Sequence, residues 1–209
     1  MLAKDAYEWL IDRADGVDLD PFDRHVLASV LAIGIEETGK MRRILSDTVG
    51  LDADALVEMA RNVFPHALDE FRDLAGACKV VRAVDEDCIR DLLWRSSNRR
   101  TTLERHLACM IARRAQRPNH LWQDMGLQSR TELSRLMGRH FRVMVGRNSR
   151  DMKWKKFLYR VICRDEGLGF CTAPSCSECD DLEACFGEEK GERLLAIARR
   201  DDALLPELI

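Results

Sequence analysis

Hydrophobic residues recur along much of this chain at the three- and four-residue spacing of amphipathic helices. The clearest stripe lies in SRDMKWKKFLYRVIC, residues 149–163, and consists of Trp154, Phe157, Leu158, Val161 and Ile162. Lys153, Lys156, Arg160 and Arg164 line the opposite side. Apolar residues at i, i+3, i+4, i+7 and i+8 share one face of a helix, so this segment is predicted to be a helix with one buried side and one basic side.

Capping residues predict where several helices begin and end. Asp20 before Pro21 is an N-cap and first-turn pair, and the apolar run 26–35 that follows is expected to end at Thr38-Gly39 with a left-handed glycine. Because this run is apolar on most sides, the helix is predicted to be the central one. A second helix is predicted from Asp52 to just before Pro65.

Two further helix starts have the pattern of a capping box, in which a Ser or Thr precedes a Glu by three residues. The pairs are Thr101 with Glu104 and Ser129 with Glu132. Their apolar stripes are Leu103, Leu107, Met110 and Ile111, then Leu133, Leu136, Met137 and Phe141. No alternation of period two is long enough to predict a strand, so the predicted class is all-α.

The regular pattern ends after Cys163. The stretch DEGLGFCTAP contains two glycines and a proline, which is typical of a loop. We therefore predict a single helical body over residues 1–165, a cysteine-rich metal-binding loop over 166–190, and a helical tail over 191–209.

Composition and charge limit the classes of function. The chain has 209 residues, of which 46% are hydrophobic, and it lacks both the apolar core of a signal peptide and a run long enough to span a membrane. A cytoplasmic protein without a membrane partner is expected. The net charge of −3 divides into −9 for residues 1–88, +14 for 89–164 and −8 for 165–209. The basic middle either is neutralised by the acidic flanks within the fold or attracts an anion.

Four of the eight cysteines lie within CTAPSCSECDDLEAC, residues 171–185. Cys171, Cys176, Cys179 and Cys185 have the spacing C-x4-C-x2-C-x5-C. Structural zinc sites commonly use two C-x2-C pairs a dozen or more residues apart, whereas a contiguous run of thiolates suits an iron-sulfur cluster. In a reducing cytosol, metal binding is favoured over disulfides. An iron-sulfur cluster is the favoured interpretation, with zinc and metal-free thiols as alternatives.

Three residues outside this motif are further candidates for metal or oxyanion binding. Cys163 precedes the motif by eight residues, although a buried packing cysteine has the same appearance. His140 lies on an apolar stripe, where a hydrogen-bonded core histidine is favoured over a ligand. His120 is expected in the first turn of a short helix that Asn119 caps and Gly126 ends, where an imidazole can meet an anion. Cys78, Cys88 and Cys109 are expected to be packing residues.

Residues 152–187, together with PNHLWQDMGL and RTELSRLMGRHF upstream, resemble the NifQ family of nitrogen-fixation proteins. The resemblance is close over about residues 118–187 and includes the spacing of the four cysteines. It implies that Cys171, Cys176, Cys179 and Cys185 hold an iron-sulfur cluster of three or four irons. This cluster would accept molybdenum, supplied as molybdate or in reduced form, in a Mo-Fe3-S4 arrangement. The metal would then pass to the nitrogenase proteins that assemble the iron-molybdenum cofactor, so a metal carrier rather than an enzyme is expected.

An iron-sulfur DNA-binding protein is the alternative from another class. A repair glycosylase requires a glycine-rich hairpin between two helices, and the basic segment contains none. A redox-sensing regulator could use LWQDMGLQSRTELSRLM as a helix-turn-helix, but the bulky Trp122 lies where a small residue is expected. Nucleic acid is therefore not the expected partner.

Overall fold

The computed structural model describes residues 1–12, 18–76, 80–166, 188–189 and 194. These residues form eleven α-helices and one short 3-10 helix, Pro65–Ala67, and contain no strand, which confirms the all-α prediction. None of the described helices is long and apolar enough to cross a membrane. In chain order the helices are α1 (Ala3–Asp12), α2 (Pro21–Met41), α3 (Leu45–Val49), α4 (Ala53–Val63), α5 (Leu68–Ala75), α6 (Val84–Arg95), α7 (Thr102–Ala115), α8 (Leu121–Asp124), α9 (Arg130–His140), α10 (Arg142–Arg147) and α11 (Trp154–Glu166).

Helix α2 is the central element, as predicted. The Asp20 carboxylate accepts a hydrogen bond from the Phe22 backbone N–H at 2.9 Å and caps its start. Apolar residues on nearly every side of the helix are buried between Phe22 and Ile35. Since a helix that is apolar all round must be covered all round, α2 lies inside the body, and α1 and α3 pack against it.

The predicted end of α2 at Gly39 is wrong. The helix continues to Met41, and the left-handed residue is Arg42, with φ of 50°. Lys40 pairs with Glu36 at 3.1 Å across this last turn. A glycine is permissive but does not compel a helix to end, because its cost inside a helix is only about 1 kcal/mol.

The other predicted helix starts differ in how well the structure matches them. The capping box of α7 is complete, with Thr101 and Glu104 bonded reciprocally. At α9 only half forms: Ser129 Oγ accepts from the Glu132 N–H, but the Glu132 carboxylate accepts from Gln128 N–H at 2.7 Å instead. The helix predicted after Asp52 is α4, and it ends before Pro65 as expected.

A buried arginine joins four helices. Arg114 of α7 has no exposed side-chain surface and donates two hydrogen bonds, each 2.9 Å long, to the carboxylate of Glu37 in α2. It also donates to the carbonyl oxygens of Thr48 in α3 and Asp124 in α8. Arg117 adds a second cation to Glu37 at 2.7 Å. The pairing of α2 with α7 is therefore electrostatic as well as apolar.

Helix α11 packs on the body through its predicted apolar stripe, whose members are all buried: Trp154, Phe157, Leu158, Val161 and Ile162. Two polar contacts fix its position, since Trp154 Nε1 donates to Ser134 Oγ at 3.2 Å and the Tyr159 hydroxyl donates to Asp85 at 3.0 Å. The structure describes this helix as Trp154–Glu166, and the boundary of the helical body at residue 165 stays a prediction.

Candidate functional site

The four motif cysteines, Cys171, Cys176, Cys179 and Cys185, lie outside the described residues. Over the ranges that the structure does describe, no group of three or more His, Cys, Asp or Glu side chains is arranged to hold a metal ion. Two described parts of the chain flank the cysteine segment, namely α11 up to Glu166 on one side and Glu188 with Glu189 on the other.

A pocket of about 490 Å³ lies between the loop before α8, the first turn of α11 and Glu189. It combines two sequence-predicted features, because His120 and the lysines of α11 line the same space. The lining residues are Pro118, Asn119, His120, Leu121, Gln123, Lys153, Lys155, Lys156 and Glu189. We call it the basic pocket.

Lys155 connects three residues at the wall of the basic pocket through hydrogen bonds. Its Nζ donates to the carbonyl oxygens of Arg117 and Asn119 and to the Asp124 carboxylate, each at 2.5 Å. Burial lowers the pKa of Lys155, while the bond to Asp124 opposes that shift. All three ammonium donors are used, so Lys155 holds the loop before α8 against α11.

Sequence reasoning missed Lys155 because it was grouped with neither the apolar nor the basic side of α11. The available signal was its place at the edge of the stripe, one residue after Trp154 and three before Leu158. A lysine at such a boundary buries its stem along the apolar face and extends its amine to the rim.

His120 lies at the N-terminal end of α8, but it is not in the first turn, where the sequence predicted it. It is itself the N-cap residue of α8, and its backbone N–H donates to Gln123 Oε1 at 3.2 Å. The expected cap Asn119 bonds Asp124 instead, at 3.0 Å. Gly126 ends the turn as predicted, with φ of 71°. The imidazole is thereby left at the pocket wall, with 30% of its side chain exposed.

Glu189 places a carboxylate within the basic pocket. Its side chain is 5% exposed, its Oε1 lies 3.3 Å from Arg130 and 3.9 Å from His120 Nδ1, and its Oε2 is buried without a hydrogen-bond partner. A buried carboxylate requires nearby positive charge, and Arg130 and His120 supply it here. Nothing in the periodicity of the sequence marks Glu189.

His140 and Cys163 are not among the residues that line the basic pocket. His140 is 8% exposed, bonds Asp23 through Nε2 at 3.0 Å and has Glu104 3.7 Å from Nδ1. This is the hydrogen-bonded core histidine that the sequence favoured. Cys163 is a buried free thiol on α11. A ligand role for either residue stays a prediction.

The remaining cysteines that the structure describes take part in packing. Cys88 and Cys109 are partly buried against the core, as expected, and burial raises the pKa of the Cys109 thiol. Cys78 lies outside the described residues.

The segment considered as a helix-turn-helix begins with α8, which is four residues long, and Trp122 is buried in the core.

The described residues define an all-helical protein with a pocket lined by His120 and lysines. The NifQ family model matches residues 26–187. The chain belongs to the NifQ family, and this membership indicates a role in nitrogen fixation.

Several curated relatives support this membership. The protein NifQ homolog of Sinorhizobium fredii is 37% identical over 82% of this chain and 74% of its own length. Protein NifQ of Rhodobacter capsulatus is 35% identical over 78% of this chain and 89% of its own, and that of Azotobacter vinelandii is 32% identical over 68% and 78%. No solved structure matches the chain.

Proposed function

We propose that this protein is an iron-sulfur metal carrier that binds molybdenum and donates it for assembly of the nitrogenase iron-molybdenum cofactor. Cys171, Cys176, Cys179 and Cys185 hold the cluster, and the basic pocket receives molybdenum as its oxyanion. The proposed activity is binding and transfer rather than turnover. The main support for oxyanion binding by the pocket is that His120, Lys153 and Lys156 line the same space, together with the Glu189 carboxylate.

Electrostatics support the basic pocket as the site where molybdate first binds. Molybdate is a doubly charged oxyanion, and a concave surface lined by lysines raises the local concentration of such an ion. Lys155 holds the pocket wall together, and we assign binding of the ion to three other residues of the lining, His120, Lys153 and Lys156. Glu189 acts as a resident anion that an incoming oxyanion displaces.

Chain length supports proximity between the pocket and the thiolates. Four peptide units separate Cys185 from Glu189, which limits their Cα–Cα distance to about 14 Å. Because Glu189 lines the pocket, this limit supports the proposal that the pocket and the thiolates act on the same metal.

The chemistry of the two donor sets is complementary. Thiolates and inorganic sulfide are soft donors that suit iron and reduced molybdenum. Ammonium and imidazole groups are hydrogen-bond donors that suit a hard oxyanion. The proposal therefore assigns capture of the oxyanion to the basic pocket and retention of the metal to the thiolates.

The test measures iron and molybdenum in protein purified without air after growth with molybdate. His120→Ala is expected to keep its iron while its molybdenum-to-iron ratio falls about tenfold, since one charge-assisted hydrogen bond contributes roughly 1.5–3 kcal/mol. Cys176→Ala is expected to lose both metals. His66→Ala is the matched control, because His66 bonds the Trp9 carbonyl outside the pocket. Helicity is measured for each variant to exclude unfolding.

Different outcomes reject different parts of the proposal. Colourless protein with one stoichiometric zinc rejects the iron-sulfur carrier. If instead His120→Ala and Lys156→Met both keep the wild-type ratio, the pocket has no part in capture and sulfur alone holds molybdenum.

A further inference from the structure

Among the described residues, one hydrogen bond holds the Glu189 carboxylate in the basic pocket. Its Oε1 accepts from Arg130 Nη1 at 3.3 Å, whereas His120 Nδ1 lies 3.9 Å away, which is too far for a hydrogen bond. Its Oε2 is buried, and no described residue donates to it. A carboxylate can accept at both oxygens, and burial of one of them without a donor costs stability. The contact of Glu189 with the pocket is therefore one that a better-bonded anion can replace.

Arg130 does not depend on Glu189 for its hydrogen bonds. Its Nη2 donates to the carboxylate and the carbonyl oxygen of Asp151, each at 2.8 Å, and to the Met152 carbonyl at 3.1 Å. These three acceptors stay in place when Glu189 leaves the pocket. Release of the carboxylate thus does not leave the guanidinium without partners.

The wall of the basic pocket does not depend on Glu189 either. The three hydrogen bonds of Lys155 join the loop before α8 and the end of α8 to α11. The backbone N–H of His120 is bonded to Gln123. Because none of these bonds involves Glu189, the pocket is expected to keep its shape with the carboxylate inside or outside.

We propose that Glu189 is an autoinhibitory carboxylate that competes with oxyanions for the basic pocket. An oxyanion that binds releases Glu189, and with it the chain on the C-terminal side of the cysteine motif. The apparent Kd of the pocket then equals its intrinsic Kd divided by the fraction of molecules in which Glu189 is outside. This inference rests on the proposed capture of an oxyanion by the pocket and adds the contact that regulates it.

Calorimetric titration of the full chain, purified without air, with molybdate tests the competition. Glu189→Gln is expected to lower the Kd of molybdate about tenfold, which corresponds to a carboxylate that occupies the pocket in about nine of ten molecules. Glu188→Gln is the matched control, because it removes the same charge from an exposed neighbour that is not among the lining residues. Its Kd is expected to equal that of the wild type.

Perrhenate, a tetrahedral oxyanion with a single negative charge, separates competition from charge repulsion. A competitor that must leave before any anion binds changes every apparent Kd by the same factor, so Glu189→Gln is expected to lower the Kd of perrhenate as much as that of molybdate. A carboxylate that stays in the pocket and only repels the ligand has a larger effect on the doubly charged molybdate.

A protease that cleaves after glutamate measures the release of Glu189. The side chain is 5% exposed in the pocket, and it must leave to enter the protease. Saturating molybdate is expected to accelerate cleavage after Glu189 several-fold relative to cleavage after Glu70, which is exposed on α5. Mass spectrometry of the fragments locates both cuts.

The results separate autoinhibition from the proposed capture of molybdate. If the wild type binds molybdate and Glu189→Gln binds it equally well, autoinhibition is overturned and capture stands. The same holds if the gain is confined to molybdate, or if molybdate leaves cleavage after Glu189 unchanged. If neither protein binds molybdate, capture by the pocket and its autoinhibition are both rejected.

Discussion

At the scale of single residues, α11 is held by polar side chains as well as by its apolar stripe. Tyr159 is the clearest case, because its hydroxyl donates to Asp85 of α6. Burial, together with that carboxylate, raises the pKa of Tyr159 from 10.0 to about 12. The folded state thus favours the neutral phenol. Ionisation of Tyr159 at alkaline pH is therefore expected to destabilise the fold.

The prediction is that Tyr159→Phe reduces the loss of stability between pH 10 and about 12. A raised folded-state pKa stabilises the protein fully below the unfolded pKa, and this contribution is lost as pH rises through the folded pKa. Its upper limit is about 2.7 kcal/mol, and solvent screening reduces it because the side chain is partly exposed. Urea unfolding at several pH values measures the slope, and equal slopes for both proteins contradict the prediction.

At the scale of elements, α2 contains two glycines with opposite roles. A Cβ atom on Gly34 would lie 2.4 Å from Val49 Cγ1 and 3.0 Å from Thr48 Oγ1, so this glycine permits α2 and α3 to pack closely. A Cβ atom on Gly39 would meet nothing within 4 Å. Both residues are helical, so only their tertiary surroundings differ.

Gly34→Ala is expected to destabilise the protein by about 1–3 kcal/mol, because the gain in helix propensity is outweighed by overpacking against α3. Gly39→Ala is the matched control and is expected to stabilise it by about 0.5–1 kcal/mol, since only the propensity term remains. Thermal and urea unfolding of both variants measure the two signs. The close-packing explanation fails if Gly34→Ala is as stable as Gly39→Ala.

At the scale of the whole molecule, part of the positive charge in the basic middle of the chain is neutralised by the acidic N-terminal part. The residues that do this are spread over the fold: Glu37 pairs with Arg114 and Arg117, Asp20 and Asp23 pair with Arg139, and Glu86 pairs with Arg113. For these four arginines the contacts support internal neutralisation, whereas the proposed function assigns attraction of an anion to the residues that line the basic pocket.

We therefore expect no specific binding of duplex DNA. Anisotropy of a labelled duplex at about 0.15 M salt is expected to show no tight complex, because the acidic flanks offset the positive charge of the basic segment and salt screens what remains. A titration at lower salt controls for weak non-specific attraction. A tight, sequence-selective complex at the higher salt contradicts this expectation and supports an iron-sulfur regulator instead.

The sequence by itself determined the helical class, the start of α2, the capping box of α7 and the buried stripe of α11. Each depends on residues within one or two helical turns, where backbone hydrogen bonding and side-chain periodicity restrict the chain to few solutions. It also supplied the cysteine motif and the family, although the ligand roles of those cysteines stay predictions.

Only the tertiary structure decided which charges pair and where α2 ends. Glu37 and Arg114 are 77 residues apart, and Lys155 and Asp124 are 31 apart. Many pairings of opposite charges are equally compatible with the sequence, and the packing of the helices selects among them. The same reason explains the basic pocket, because His120, Lys155 and Glu189 belong to separate segments and line one space only in the packed fold.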